Sequence, residues 1–334
     1  MNLQFINKED ILTVLKILSI DNNIYYLTNN LSYEKLSKDE VIPELNIDSV
    51  RSLVPLKSFL LTHIDQLKEP KIPKKSNIVF GAKSCDIKAR KILDNMFLAD
   101  PQDPYYEVRN KSTLIFSSDC PDPQKTCFCT YIKGKPYPED GFDLNFSPVH
   151  NGYVVEIGSV KGQKIVDQVQ TYFKDTSKEQ LSGRDKMRES AIEKLEQINK
   201  DFNKVKDTDL QKLFETKFHS DKWKELSKTC VQCYGCTNIC PSCYCFFLAE
   251  SNKSKENPFE KVRYWDSCQV TGYGRVGGGL NPRPKLYERF RNRYECKLNW
   301  RMVNFNMYAC TGCGRCIDVC PGKIDIRKVV SELI

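Results

Sequence analysis

Short apolar runs with strand character punctuate the first half of the chain. Asn23–Thr28, Asn77–Gly81, Thr113–Ser117, Phe142–Phe146 and Tyr153–Ile157 read as strands, the last two joined across a His150-Asn151-Gly152 turn. Helical patterns lie around them. The opening stretch MNLQFINKEDILTVLKILSI reads as an amphipathic helix with Asn7 as N-cap and Asp10 three residues on. A second helix is expected from Ser84 or Asp86, burying Ile87, Ile92, Leu93, Met96 and Phe97 and ending at the proline-bearing Asp100–Pro104 segment. From Asp185 the period turns helical: Met187, Ala191, Ile192, Leu195, Ile198, Phe202 and Val205, then Leu210, Leu213, Phe214 and Phe218. The expected organisation is a mixed α/β domain over residues 1–180, a helical connector over 181–225 and a cysteine-rich domain over 226–334. No long Gly/Ser linker separates them, so the halves are expected to pack together.

Composition sharpens this picture at one point. With 40% hydrophobic and 11% aromatic residues among 334, the chain is not a disordered one. No apolar stretch reaches the length of a membrane span, so no membrane insertion is expected. The sixteen cysteines are the anomaly: none precedes Cys85, four fall between Cys85 and Cys129, and twelve follow from Cys230. The N-terminus lacks a basic leader, and Lys8, Glu9, Asp10 and Lys16 interrupt its apolar residues, so no signal peptide is read there. A cytoplasmic location is expected, where disulfide frameworks are rare and metal is the better use of so many thiols.

The pattern Cys230-Val-Gln-Cys233-Tyr-Gly-Cys236-Thr-Asn-Ile-Cys240-Pro241 recurs as Cys310-Thr-Gly-Cys313-Gly-Arg-Cys316-Ile-Asp-Val-Cys320-Pro321. Both are C-x2-C-x2-C-x3-C-P, the ferredoxin run for a [4Fe-4S] cluster. Two-residue gaps let one tight loop offer three thiolates to three corners of a cube, with Gly235, Gly312 and Gly314 allowing backbone N–H groups near sulfur. In two-cluster proteins the fourth cysteine serves the other cluster. The expected sets are therefore Cys230, Cys233, Cys236 with Cys320, and Cys310, Cys313, Cys316 with Cys240. Zinc fits poorly, because it favours paired C-x2-C or Cys/His sets and His63, His150 and His219 all lie away from the runs. The long segment between the runs and helical flanks such as Asp318–Val330 favour an α-helical, ferredoxin-like dicluster domain.

Further motifs carry a family resemblance: G-A-K-S-C-D (Gly81–Asp86), D-P-Y-Y (Asp103–Tyr106), C-P-D-P-Q-K-T-C-F-C (Cys120–Cys129), D-G-F-D (Asp140–Asp143), C-P-S-C-Y-C (Cys240–Cys245), W-D-S-C (Trp265–Cys268) and G-G-G-L-N-P-R-P from Gly277. From about Gly81 onward the chain resembles the iron–sulfur β subunit of sulfhydrogenase-type [NiFe] hydrogenases, together with its relative, the A subunit of anaerobic sulfite reductase. The resemblance implies an electron-transfer subunit with a 4Fe-4S dicluster domain. It implies as partners a ferredoxin-reductase-like flavoprotein subunit, which reacts with NAD(P)H, and a catalytic oxidoreductase subunit. The R-F-R-N-R-Y-E-C-K stretch from Arg289 resembles the hydrogenase branch more than the sulfite reductase branch.

Cys85 and Cys120 each follow an expected strand by a few residues. If those strands are parallel neighbours, both thiols lie at the carboxyl edge of the sheet, where open α/β folds place ligands. Cys127 and Cys129 would join them from the next loop, and the resemblance carries all four positions. Cys85, Cys120, Cys127 and Cys129 are thus the candidate set for a third cluster, with buried structural cysteine as the alternative. Cys243, Cys245, Cys268 and Cys296 receive no ligand assignment; Cys268 can reach Cys243 and Cys245, but three thiols leave a cubane one short.

Two weaker signals are set aside. Gly272-Tyr-Gly274-Arg-Val-Gly277 matches G-x-G-x-x-G, but glycines and prolines follow where a dinucleotide site requires a helix. The basic run Arg283, Lys285, Arg289, Arg291, Arg293, Lys297, Arg301 lacks a nucleic-acid-binding module and is better read as offsetting cluster charge or docking an acidic partner. An oxidised cubane with four thiolates carries about −2, so two clusters reduce the formal +8 to roughly +4 and three to roughly +2. With no nucleophile–base pair in the sequence, single-electron relay is the leading function. An Fe–S enzyme binding a small molecule at the N-terminal thiols and a purely structural Fe–S protein are the alternatives.

Overall fold

The computed structural model describes residues 2–37, 45–251 and 260–334. Its first half is built on an eight-stranded mixed sheet and its second half on helices. In chain order the strands are β1 (Asn2–Asn7), β2 (Asn22–Leu27), β3 (Tyr33–Lys35), β4 (Ile64–Gln66), β5 (Ser76–Ala82), β6 (Thr113–Ser118), β7 (Leu144–Val149), β8 (Gly152–Ile157), β9 (Lys174–Asp175), β10 (Phe246–Ser251) and β11 (Glu260–Trp265). The large sheet runs β3-β2-β5-β6-β7-β8-β1-β9, with β2, β5, β6 and β7 parallel to one another. Its centre is buried on both sides. Ile78, Phe80, Leu114 and Phe116 point into a core with Ile11, Val14 and Leu15, while Val79 and Ile115 meet Leu56, Ile87 and Phe142 on the opposite face. That period-two alternation with both faces covered is why these strands read as continuous apolar runs.

The five expected strands all form, with β7 starting at Leu144 rather than Phe142. The expected N-terminal helix is shorter than its pattern. Asn2–Asn7 is a strand paired antiparallel to β8, and the helix spans Asp10–Leu18 with Glu9 as N-cap. Asn7 donates through Nδ2 to Asp10 at 2.7 Å instead of capping. The second helix spans Ser84–Phe97 and buries Ile87, Ile92, Leu93 and Phe97, whereas Met96 is exposed.

The long helix spans Lys178–Asn199 and begins at a capping box, in which Ser177 Oγ accepts from Gln180 N–H and Gln180 Oε1 accepts from Ser177 N–H. Arg188 on this helix reaches Asp119 Oδ2 at 2.7 Å and Glu156 Oε2 at 2.6 Å, tying it to the sheet. Val205, Leu210 and Phe214 then share one core with Trp223, Phe290, Tyr294 and Val330 of the C-terminal half and with Phe128 and Tyr131 of the N-terminal half. The halves are packed together, in keeping with the missing linker.

Two features of the C-terminal half differ from expectation. Asp318–Val330 is not continuous helix: a turn at Arg315–Asp318 ends before Cys320-Pro321-Gly322, and a new helix runs Ile326–Leu333, capped by Asp325. Between the two cysteine runs, β10 and β11 form a hairpin that pairs with β4 from the N-terminal half. Among the described residues, no helix is long and apolar enough to cross a membrane.

Candidate metal centres

The two runs fold alike. Gln232 and Tyr234 in the first, and Gly312 and Gly314 in the second, take left-handed φ values at equivalent positions. Each pair precedes a one-turn helix, Gly235–Asn238 or Arg315–Asp318. This geometry places three closely spaced thiols of each run on one tight turn. Cys230, Cys233 and Cys236 line one recess, together with Cys316 and Cys320 of the second run. The Cys240 thiol meets the Cys243 thiol, receives a hydrogen bond from Lys297 Nζ at 3.0 Å and lies in the electrostatic field of Cys310 and Cys316 of the other run.

Cys85, Cys120, Cys127 and Cys129 also meet. They line a third recess together with Arg51, Lys83 and the Gly312–Cys313 backbone. β5 and β6 are parallel neighbours, so Cys85 and Cys120 sit just past their carboxyl ends. The loop carrying Cys127 and Cys129 folds back beneath them. Asn199, wholly buried, holds that loop by donating to the Cys127 carbonyl at 2.8 Å and is itself held by Arg327 at 2.9 Å.

The second run presses against this loop. Phe128 N–H donates to the Gly312 carbonyl at 2.8 Å. A side chain at Gly312 would put its Cβ 2.5 Å from Cys129 backbone atoms, and one at Gly314 would strike the Thr126 carbonyl. These glycines serve the seam between two sites as well as the Gly312 N–H donated to Cys310. Gly312→Ala combines a left-handed φ with a backbone clash and is expected to lower stability by about 2 kcal/mol or more, read as a reduced denaturant midpoint of the apoprotein.

The surroundings suit anionic iron–sulfur groups. Arg51, Lys83, Arg293, Lys297 and Arg315 are all buried beside the thiols. Burial opposes the charge of Arg293, yet Cys236 and Cys316 hold it well above its ordinary value; for Lys297, Cys240 and Cys243 do the same. Arg293 Nε and Arg315 Nη1 are buried without a hydrogen-bond partner, spare donors on cations that neighbour the thiols. Gln269 Nε2 lies 3.3 Å from Cys236 Sγ, and Ile324 N–H lies 3.4 Å from Cys320 Sγ. Burial pushes the Cys85, Cys127 and Cys129 thiols up and Cys120 to about 12, so loading iron must release their protons. Among the described residues no three His, Cys, Asp or Glu side chains converge on a single-ion site. A mononuclear zinc centre needs that convergence, whereas a cubane spreads its ligands over four corners.

Sequence reasoning recognises the basic run but not Arg51, Lys83, Arg315 or Asn199. Lys83 lies two residues before Cys85 in the G-A-K-S-C-D motif and Arg315 directly before Cys316 in the second run, whereas Arg51 and Asn199 sit in no motif. Arg289 of the basic run donates to the Gln269 carbonyl and to Gln232, bracing the first run. The G-x-G-x-x-G segment leads only into a 3-10 turn at Gly277–Gly279 and opens no α-helix; the next one begins at Leu286. His63 stacks on Trp265, with ring centroids 3.7 Å apart.

Residues 229–324 match the family model described as a 4Fe-4S dicluster domain. The chain is similar to sulfhydrogenase 2 subunit beta of Pyrococcus furiosus, with 34% identity over 300 residues that cover 87% of this chain and 86% of the relative. It is also similar to the F420-dependent formate dehydrogenase subunit beta of Methanocaldococcus jannaschii, at 27% identity over 54% of this chain and 38% of that relative.

Proposed function

The chain belongs to the sulfhydrogenase β-subunit family of iron–sulfur electron-transfer proteins, and from that premise we propose that it relays single electrons inside a hydrogenase-type complex. On this reading it stands between a flavin-containing, NAD(P)H-reactive subunit and a catalytic subunit, in the cytoplasm. Three clusters are assigned: Cys230, Cys233, Cys236 and Cys320 hold the first; Cys240, Cys310, Cys313 and Cys316 the second; Cys85, Cys120, Cys127 and Cys129 the third. A [4Fe-4S] cluster supplies one-electron redox chemistry without making or breaking bonds to a substrate.

The observation that carries this reading is the contiguity of the three thiol sets. Cys127 Sγ lies 3.8 Å from the Cys313 carbonyl, joining the third set to the second. Cys316 of the second set reaches into the recess of the first, and Arg293 faces both. At the far end Cys233 is exposed. The protein's own groups supply the rest: buried cations offset negative charge beside the thiols.

The isolated chain, reconstituted under anaerobic conditions, is expected to undergo reversible reduction with no turnover of hydrogen, sulfite or NADPH. Turnover by the single chain would refute the relay. Cys127→Ala combined with Cys129→Ala should remove about four iron atoms from the reconstituted chain; unchanged iron would remove the third cluster. Anaerobic purification with native partners identifies the complex, since nickel selects hydrogenase and sirohaem selects sulfite reduction.

A further inference from the structure

Four cysteines lie outside these three sets: Cys243, Cys245, Cys268 and Cys296, each partly buried. They come from three chain segments. Cys243 and Cys245 follow the first run and lead into β10. The β10–β11 register pairs Phe246 with Trp265, which puts Cys245 and the Asp266–Cys268 corner at the same end of the hairpin. Asp266 N–H donates to the Cys245 carbonyl at 2.9 Å, and the Cys245 and Cys268 thiols are within hydrogen-bonding reach of one another.

Cys296 arrives from elsewhere. It opens the π turn Cys296–Trp300, which interrupts the helix after Glu295. Such turns insert one extra residue and are frequent at functional sites. The turn packs against the same corner: Arg301, which follows it, lies over the ring of Tyr244 between Cys243 and Cys245, and the Cys268 thiol feels the charges of Cys245, Cys243 and Cys296 together.

The environment repeats the features of the assigned sites. Lys57 Nζ is buried, donates to the Cys243 carbonyl at 3.0 Å and stands 4.1 Å from the Trp265 ring centroid. The Arg301 guanidinium lies 5.0 Å from the Tyr244 ring centroid. The Tyr244 hydroxyl, Trp265 indole N–H and Arg301 Nε are all buried without a partner. A pair of buried disulfide-ready thiols would need neither these cations nor these spare donors.

We propose that Cys243, Cys245, Cys268 and Cys296 ligate a fourth [4Fe-4S] cluster. It adjoins the second cluster where the Cys240 and Cys243 thiols meet beside Lys297. The second cluster then borders all three others: the third through Cys313, the first through Cys316 and the fourth through Cys240. The fourth site rests on the relay reading and turns its line of clusters into a branched path. Four clusters at about −2 each also offset the whole formal charge of +8.

The test is iron and sulfide analysis with Mössbauer spectroscopy of the full chain reconstituted with ⁵⁷Fe. The expected wild-type content is about 16 iron atoms, all in cubanes, falling to about 12 in Cys268→Ala/Cys296→Ala with the other cubane signals retained. A wild-type content of about 12, or a double variant that still holds about 16, overturns the proposal. Should the double variant fail to fold, the wild-type ⁵⁷Fe count alone decides between about 16 and about 12. A fourth site that is absent while Cys127→Ala/Cys129→Ala still costs about four iron leaves the three-cluster relay standing. Loss of the relay reading would instead appear as substrate turnover by the single chain.

Discussion

Replacing Cys320 by alanine is expected to abolish the cubane signal of the cluster held by Cys230, Cys233 and Cys236, and to leave the cluster beside Cys310 intact. The reason is the turn that follows each run. A one-turn helix ends at Asp318, Pro321 prevents its continuation, and the Cys320 thiol is delivered to the recess of the other run. Cys240 makes the reciprocal move and ends beside Lys297 and Ser242. Paired substitutions separate this arrangement from in-run ligation. Cys320→Ala with Cys233→Ala strikes one cluster twice and should cost about four iron atoms in total, whereas Cys320→Ala with Cys316→Ala strikes two and should cost about eight. In-run ligation reverses the two outcomes. Iron analysis and spin quantitation by EPR read the difference.

That exchange of ligands is expected from the order of the residues alone, because a fixed spacing repeated with its proline constrains where each thiol can point. The parallel β5–β6 pair is legible for a similar reason: two apolar runs, each ending a few residues before a cysteine, leave little choice of edge. Other parts of the site carry no local signature. Arg51 binds the Cys313 carbonyl and Asp318 from more than 260 residues away, and Arg315 pairs with Asp86 across a similar distance. Only the tertiary fold creates those contacts. The β10–β11 hairpin escapes notice because Phe246, Phe247 and Leu248 form an exposed apolar run without alternation, and its third strand, β4, comes from the other half. The N-terminal strand is absorbed into a helical pattern because β1 is fixed by long-range pairing with β8, which propensity does not record. Cys296 finds no partners by spacing because it stands alone in the chain, at the start of a π turn.

Lys297→Met is expected to shift the midpoint potential of the second cluster negative by about 100 mV. Lys297 is fully enclosed, with Nζ 3.0 Å from Cys240 Sγ and 3.1 Å from Ser242 Oγ. Burial alone would favour its neutral form, but the neighbouring Cys240 and Cys243 keep it charged. Reduction adds one negative charge, and a cation nearby stabilises the reduced state more than the oxidised one. Removing the cation therefore disfavours reduction, which fixes the sign. For a unit charge roughly 6 Å from the cluster at an effective dielectric of ~20, the interaction is about 2.8 kcal/mol, or roughly 120 mV for one electron. Potentiometric titration followed by EPR measures it, with Lys297→Arg as the charge-conserving control expected to stay near the wild-type value. Arg293→Met should move the first cluster as well, because Arg293 faces both Cys236 and Cys316. A Lys297→Met potential unchanged within about 20 mV would mean that solvent or a second cation screens the site. The consequence reaches beyond one centre. In the proposed arrangement the second cluster borders every other thiol set, so Lys297 sets the energy at the junction, and lowering that potential should slow electron flow along every branch at once.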